Sequence, residues 1–179
     1  AHEEVPVDLA GGEHKSPEFL AMNPNGQVPV LQDGDVTVSD SNAILVYLAR
    51  TYAPDWMPST PIDEANVQRW LTLAAGEVAF GSCAARLITV FGAPLDVDFA
   101  DATATKAMQK LEHGLEGRDW LVGDRPTIAD VANYSYTAHA PEGNVSLDPY
   151  PNVRAWLARF EALPGFQAMP ATAVGLAAE

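Results

Sequence analysis

The sequence is poor in cysteine and in positive charge. Cys83 is the single cysteine among 179 residues, so no internal disulfide framework can form. It lies beside alanines with no basic residue closely before it, which favours a small buried side chain over a reactive thiol. Lys and Arg number only ten against 24 Asp and Glu. The resulting net charge of -14 argues against nucleic acid and anionic membranes as partners.

Long apolar runs are also absent. No segment approaches the roughly 18 consecutive apolar residues that span a bilayer. Residues 1–9 lack the basic and apolar regions of a secretory signal. These absences predict a cytoplasmic protein. Apolar residues nevertheless make up 47% of the chain, which is enough for a buried core and argues against intrinsic disorder.

The first fifty residues begin with signals for a strand and a helix. Residues 4–9 alternate apolar with other residues and predict a short strand, in which Pro6 indicates an edge position. Ser16 followed by Pro17 is typical of a helix start, with the serine as cap and the proline in the first turn. This helix must be short, because residues 23–26 form a turn.

A hairpin and a second helix follow. Residues 27–31 and 36–38 are rich in β-forming residues and are joined through Asp33-Gly34, so they predict two antiparallel strands. Residues 39–41 offer several caps for a helix whose apolar face recurs at helical spacing. That face consists of Ile44, Tyr47, Leu48 and Tyr52. The predicted order is strand, helix, hairpin, helix.

Three prolines between residues 53 and 61 mark a domain boundary. We therefore predict an α/β domain over residues 1–53, a linker over 54–61 and an all-helical domain over 62–179. Strand signals nearly vanish beyond the linker, and apolar residues at helical spacing recur in three stretches. These stretches are 62–91, 104–115 and 153–160. Thr127 and Asp130 have the spacing of a capping box, and the residues after Gly165 predict a tail.

Six short motifs, in order and spacing, resemble those of the glutathione transferase family. They are Gly12-Glu13-His14-Lys15, Asn23-Pro24-Asn25-Gly26-Gln27-Val28-Pro29-Val30-Leu31, Asp40-Ser41-Asn42-Ala43-Ile44, Trp120-Leu121-Val122-Gly123, Thr127-Ile128-Ala129-Asp130 and Pro164-Gly165-Phe166. The resemblance spans Val5 to about Phe166. It implies a thioredoxin-like α/β domain followed by an all-helical bundle, as the pattern analysis also predicts. The His14-Lys15 pair is similar to that of plant-type members, and we expect a bacterial member of the family.

The resemblance also implies a binding site for glutathione, the expected co-substrate. The implied site residues are His14, Lys15, Gln27, Val28, Pro29, Asp40 and Ser41. A cis peptide between Val28 and Pro29 would turn the Val28 N–H and C=O toward the ligand, whereas the dipeptide alone is equally compatible with an ordinary strand proline.

The other implied contacts are polar. At a helix start, Ser41 would donate to the γ-glutamyl carboxylate and Asp40 would accept from the γ-glutamyl amine. Both residues could instead only cap the helix. Lys15, aided by His14 and Gln27, would hold the glycyl carboxylate, although a lone lysine is usually a solvated surface charge.

No catalytic residue is assigned. The family carries its thiolate-stabilising Ser, Tyr or Cys on a first strand and helix that have no counterpart here. We therefore expect about 20 to 30 further residues before Ala1, enough for one strand and one helix, and we do not assign the role to Ser39, Ser41 or Tyr47.

The expected activity is attack of the glutathione thiolate on small hydrophobic electrophiles. The alternatives are a glutathione-dependent disulfide reductase or peroxidase, and a non-catalytic binding protein with the same fold. Tyr134, Tyr136 and His139 are candidates for the electrophile pocket, although helical spacing is equally compatible with packing. We expect a homodimer, and the sequence suggests no metal site.

Overall fold

The computed structural model describes residues 2–178. They divide into two compact units, one ending at Tyr52 and one beginning at Ala53. Each unit is described by itself.

The first unit contains two helices and one hairpin. Helix α1 covers Pro17–Met22, strands β1 and β2 cover Val30–Asp33 and Val36–Ser39, and helix α2 covers Ser41–Tyr52. Both expected helices are present. Ser16 caps α1 as predicted, because its side chain accepts a hydrogen bond from the Phe19 N–H at 3.2 Å. A single 3₁₀ turn, Glu13–Lys15, precedes it.

The hairpin forms at the predicted place but is shorter at its start. Strands β1 and β2 pair antiparallel, with Val30 opposite Ser39 and Asp33 opposite Val36. Gly34 opens the turn with φ of 57°, a conformation that glycine adopts without steric cost. The prediction that the strand begins at Gln27 is wrong, because the Gln27 C=O accepts from the Asn23 side chain and Pro29 has no N–H to donate.

The predicted strand over residues 4–9 is also wrong. These residues carry no regular secondary structure, and most of their side chains are exposed. The sheet of the described residues has two strands, β1 and β2. Without a neighbouring strand, the backbone groups of this segment have no ladder partners, so the alternating pattern alone does not produce a strand.

Tyrosines of α2 hold the hairpin. The Tyr47 hydroxyl donates to Asp33 Oδ2 at 2.8 Å, and the Tyr52 hydroxyl donates to the same oxygen. Hydrogen bonds from Tyr52 and Tyr47 lower the pKa of the Asp33 carboxyl, and the same bonds raise the pKa of both phenols. Because β1 ends at Asp33, this cluster ties the end of the strand to the helix.

The second unit is helical. Helix α3 covers Pro61–Phe91, α4 covers Val97–Gly114, α5 covers Ile128–Ala138 and α6 covers Pro151–Glu161. Short 3₁₀ turns occur at Pro54–Trp56, Ala140–Gly143 and Gly175–Ala178. The three stretches with helical spacing therefore form helices. The chain after Gly165 has no regular structure until the turn at Gly175–Ala178.

Helix α3 is wound as a π-helix in its middle. Its α-helical parts are Pro61–Leu73 and Ala84–Phe91, and the π segment between them is Ala74–Cys83. Gly81 lies in that segment, where an added Cβ would lie 2.4 Å from the Ala104 backbone nitrogen. Only glycine therefore allows α3 and α4 to approach so closely at this point.

Helix α3 is long and apolar enough, by length and composition alone, to cross a membrane. The expectation that no segment could span a bilayer considered only unbroken apolar runs. Polar residues interrupt the apolar residues of α3, so that criterion did not detect this helix. Core helices of globular proteins also meet this criterion. Side chains of α3 at Val67, Trp70, Leu71 and Val78 are almost fully buried inside the helical unit.

The capping box of α5 is present with both arms. Thr127 Oγ1 accepts from the Ala129 N–H at 3.2 Å, and Asp130 Oδ2 accepts from the Thr127 N–H at 2.8 Å. The Asp130 carboxylate is fully buried and also accepts from the Leu121 N–H at 3.0 Å and from Trp156 Nε1 at 2.9 Å. One carboxylate thus joins the start of α5 to α6 and to the preceding loop.

Tryptophan occurs in the second unit alone. The four residues are Trp56, Trp70, Trp120 and Trp156. The last three are buried, and Trp156 is completely shielded from solvent. Trp156 packs with Tyr134 and Phe160 in an aromatic cluster, in which the Tyr134 and Phe160 rings stack at 4.6 Å.

Candidate functional site

A cleft of about 460 Å³ lies in the first unit. Its lining comes from three segments: the end of the irregular N-terminal stretch, the loop after α1, and the junction of β2 with α2. The lining residues are Leu9, Asn23, Asn25, Gln27, Val28, Pro29, Ser39, Asp40 and Ser41. The volume falls within the range typical of small-molecule sites.

Five of the seven residues expected at the site line this cleft. Gln27, Val28 and Pro29 form one wall, and all three are exposed. The Val28–Pro29 peptide is cis, as the family resemblance implied. Asp40 and Ser41 also line the cleft, at the start of α2.

Asp40 caps α2. Its Oδ1 accepts from the Ala43 N–H at 3.0 Å, and its backbone has φ of 79°, in the left-handed region. Ser41 is the first residue of the helix and is exposed, so its hydroxyl lies where the positive end of the helix dipole favours an anion. The capping alternative therefore applies to Asp40, which still has Oδ2 for another partner, and not to Ser41.

Lys15 and His14 do not line the cleft but contact the loop that forms it. Lys15 Nζ donates to the Gly26 C=O at 3.0 Å and to the Asn25 C=O at 3.4 Å. The His14 Nδ1 atom is buried and has no hydrogen-bond partner among the described residues. Gly26 leaves room for this contact, since a Cβ there would lie 2.7 Å from Lys15 Nζ.

Sequence reasoning assigned no role to Asn23, whose side chain organises the loop. Asn23 is buried, its Oδ1 accepts from the Asn25 N–H at 3.1 Å, and its Nδ2 donates to the Gln27 C=O at 2.7 Å. Leu9, Asn25 and Ser39 were also missed as lining residues. The position of Asn23 in the same motif, four residues before Gln27, was the signal in the sequence that could have identified its role.

The candidates for an electrophile pocket occupy different environments. Tyr134 is buried in the aromatic cluster and donates to Glu161 Oε1 at 2.8 Å, while His139 is buried and donates through Nδ1 to Glu142 Oε1 at 2.6 Å. Both side chains are thus engaged by hydrogen bonds within the helical unit, and their role in an electrophile pocket stays a prediction. Tyr136 is 38% exposed, and its side chain forms a hydrogen bond with that of Cys83.

The Cys83 thiol is poorly suited to catalysis. Burial raises its pKa, and the hydrogen bond with Tyr136 and the charge of Arg86 only partly oppose this effect. No group of three or more His, Cys, Asp or Glu side chains within residues 2–178 is placed to hold a metal ion.

The first unit combines a two-stranded hairpin with helices and a cleft at a helix start, and the second unit is helical, so the chain is a two-domain α/β plus all-α protein. Family models for the N-terminal and C-terminal domains of glutathione S-transferase match residues 1–50 and 95–164. The chain belongs to the glutathione S-transferase family. It is therefore an enzyme that uses glutathione as its co-substrate, with a thioredoxin-like domain and an all-helical domain.

Individual relatives agree with this assignment. A probable glutathione S-transferase from rice, Oryza sativa, is 36% identical over 180 residues, covering 93% of this chain and 82% of the relative. The crystal structure of a glutathione S-transferase from Pseudomonas fluorescens is 33% identical, with a TM-score of 0.83, covering 88% of this chain and 81% of that one. A glutathione transferase homologue from Drosophila mojavensis, crystallised with bound glutathione, is 29% identical with a TM-score of 0.80, covering 89% and 75%.

Proposed function

We propose that the chain transfers glutathione to small hydrophobic electrophiles and that the cleft of the first unit binds the tripeptide. The observation that carries this proposal is the grouping of three exposed residues, Val28, Asp40 and Ser41, around one cleft. Glutathione has an extended backbone, an α-amine and two carboxylates. These groups match, respectively, a backbone donor, a carboxylate and a hydroxyl at a helix start.

The proposed contacts follow from these positions. Ser41 donates to the γ-glutamyl carboxylate, Asp40 Oδ2 accepts from the γ-glutamyl amine, and the backbone of Val28, next to Pro29, pairs with the cysteinyl residue. Gln27 donates its amide to the glycyl carboxylate. Lys15 supplies positive charge to the same carboxylate, and His14 supplies a further donor. To reach the carboxylate, Lys15 Nζ gives up its hydrogen bond to the Gly26 C=O.

In the proposed reaction, the thiolate sulfur of glutathione bonds to an electrophilic carbon, and the leaving group departs with the bonding electron pair. The raised pKa of the Cys83 thiol gives no support to a disulfide reductase that uses this residue. We place the activity in cytoplasmic detoxification. Conjugation of 1-chloro-2,4-dinitrobenzene, followed by absorbance, tests the reaction, and turnover no faster than with glutathione alone would contradict it.

Glutathione is expected to raise the calorimetric unfolding temperature, and Ser41→Ala should remove most of that increase. A ligand that binds only the native state adds about 2.7 kcal/mol at a hundredfold excess over its Kd. Ser41→Ala removes the donor at the helix start. The matched control is Ser59→Ala, which alters an exposed serine of the second unit and should keep the full increase. Equal increases in all three proteins would refute the assignment of Ser41.

We propose further that the protein is a homodimer, in which the α/β unit of one subunit contacts the helical unit of the other. The helical unit supports this with a set of large exposed apolar side chains. They are Phe80, Leu87, Phe91, Leu95, Val97 and Phe99. Such a concentration is unusual for a monomer surface. Light scattering at micromolar concentration is expected to give twice the mass of the chain, and a monomer mass would contradict the proposal.

A further inference from the structure

Asn23 is the only buried polar side chain among the described residues of the first unit, with 3% of its surface exposed. All of its polar groups are engaged. Its backbone N–H donates to the Phe19 C=O at 2.9 Å and so ends α1, and its C=O accepts from the Gly26 N–H at 2.8 Å. The side-chain bonds to the Asn25 N–H and the Gln27 C=O complete the set. The loop of residues 23–27 is therefore built around one side chain.

The bond from Asn23 Nδ2 to the Gln27 C=O has a consequence for the next residue. The Gln27 C=O and the Val28 N–H belong to the same planar peptide group, and that peptide is trans, because the only cis bond among the described residues is Val28–Pro29. In a trans peptide the C=O and the N–H point in opposite directions. With the C=O held on Asn23, the Val28 N–H points away from Asn23.

The Val28 N–H is also unoccupied. It has no hydrogen-bond partner among residues 2–178, although Val28 lines the cleft. Backbone donors are usually paired in folded proteins, so an unpaired donor in the wall of a cleft is available to a ligand or to water. Its direction is set by a side chain that does not itself need to touch the ligand.

We infer that Asn23 is a positioning residue for glutathione. It fixes the plane of the Gln27–Val28 peptide, so that the Val28 N–H is aimed before the ligand arrives. This inference rests on the proposed glutathione site. It assigns to the Nδ2 arm of Asn23 a role in affinity, and to the Oδ1 arm a role in shaping the turn.

The decisive variant is Asn23→Ser. A serine hydroxyl can still accept from the backbone N–H two residues later, as Asn23 Oδ1 does, but it is too short to reach the Gln27 C=O. The Kd for glutathione, measured by titration calorimetry, and its KM are expected to rise about tenfold. The kcat at saturating glutathione should change by less than about threefold, since the aim of one binding donor affects binding more than chemistry.

Asn133→Ser is the matched control. Asn133 is a fully buried asparagine of the helical unit, whose Nδ2 donates to the Trp70 C=O at 3.0 Å and the Ala129 C=O at 2.8 Å. Its replacement should lower the unfolding temperature while leaving the glutathione Kd unchanged. A general loss of stability would weaken binding in both variants and would overturn the inference.

The possible outcomes distinguish failure of this inference from failure of the proposed glutathione site. If the unaltered protein gives no binding heat with glutathione, the proposed function fails. If it binds and Asn23→Ser binds equally well, only the inference fails. Should Asn23→Ser not fold, Asn23→Asp takes its place, because it keeps the Oδ1 acceptor and loses the Nδ2 donor, and amide hydrogen exchange in the unaltered protein gives a second measurement. Saturating glutathione is expected to slow exchange of the Val28 N–H, and an unchanged rate would overturn the inference.

Discussion

Glu142→Ala is expected to lower the free energy of unfolding of the helical unit by about 3 to 5 kcal/mol. The Glu142 carboxylate is buried and accepts from Arg86 Nε at 2.6 Å, from His139 Nδ1 at 2.6 Å, and from the backbone N–H and hydroxyl of Thr172 at 3.0 and 2.6 Å. Its removal would leave the buried Arg86 guanidinium without its counter-charge and release the segment at Thr172. Urea unfolding followed by circular dichroism measures the change.

Glu77→Ala is the control for this variant. Glu77 pairs with Lys110 at the surface, where both side chains are substantially solvated. A pair of this kind contributes about 0 to 1 kcal/mol. A loss for Glu142→Ala no larger than for Glu77→Ala would show that the buried network adds little to stability.

The same carboxylate predicts a pH dependence. Burial alone would raise the pKa of Glu142, but hydrogen bonds from Thr172, His139 and Arg86 outweigh it and lower the pKa to about 2. A depressed folded-state pKa contributes stability above the unfolded value of 4.5, and this contribution is lost as the pH falls toward 2. The stability difference between the unaltered protein and Glu142→Ala should therefore shrink across this acidic range.

Asp130→Ala is expected to cost about 3 kcal/mol or more. It would leave three buried donors without an acceptor, namely the Leu121 N–H, the Thr127 N–H and Trp156 Nε1–H, and each such loss costs about 1 to 3 kcal/mol. Thr127→Ala removes only the cap of α5 and should cost about 1 kcal/mol. Urea unfolding of both variants checks the order, and a larger loss for Thr127→Ala would contradict it.

Local signals were enough to predict most of the elements. Ser16-Pro17 indicates the start of α1, and Asp33-Gly34 indicates the hairpin, because capping and turn geometry depend on adjacent residues alone. The capping box of Thr127 and Asp130 was likewise predictable from its spacing. The strand expected over residues 4–9 failed because a strand also requires a partner, which local alternation does not reveal.

The rest of the molecule depends on contacts between residues distant in the sequence. Glu142 meets Arg86 and Thr172 across 56 and 30 residues, and no local pattern marks such a meeting. Within the cleft, the motif resemblance indicated Val28 and Ser41 but gave no role to Asn23. The function of that side chain appears only when the direction of each peptide group is known.

The confinement of tryptophan to the second unit decides what optical measurements report. Intrinsic emission excited at long wavelength comes from the helical unit, because residues 2–52 contain no indole. A ligand of the first unit therefore binds to a unit that has no tryptophan of its own. Tryptophan emission and calorimetry followed on the same sample would show whether the two units unfold together. Concerted unfolding gives coincident midpoints, whereas independent unfolding gives one calorimetric transition without a matching change in emission.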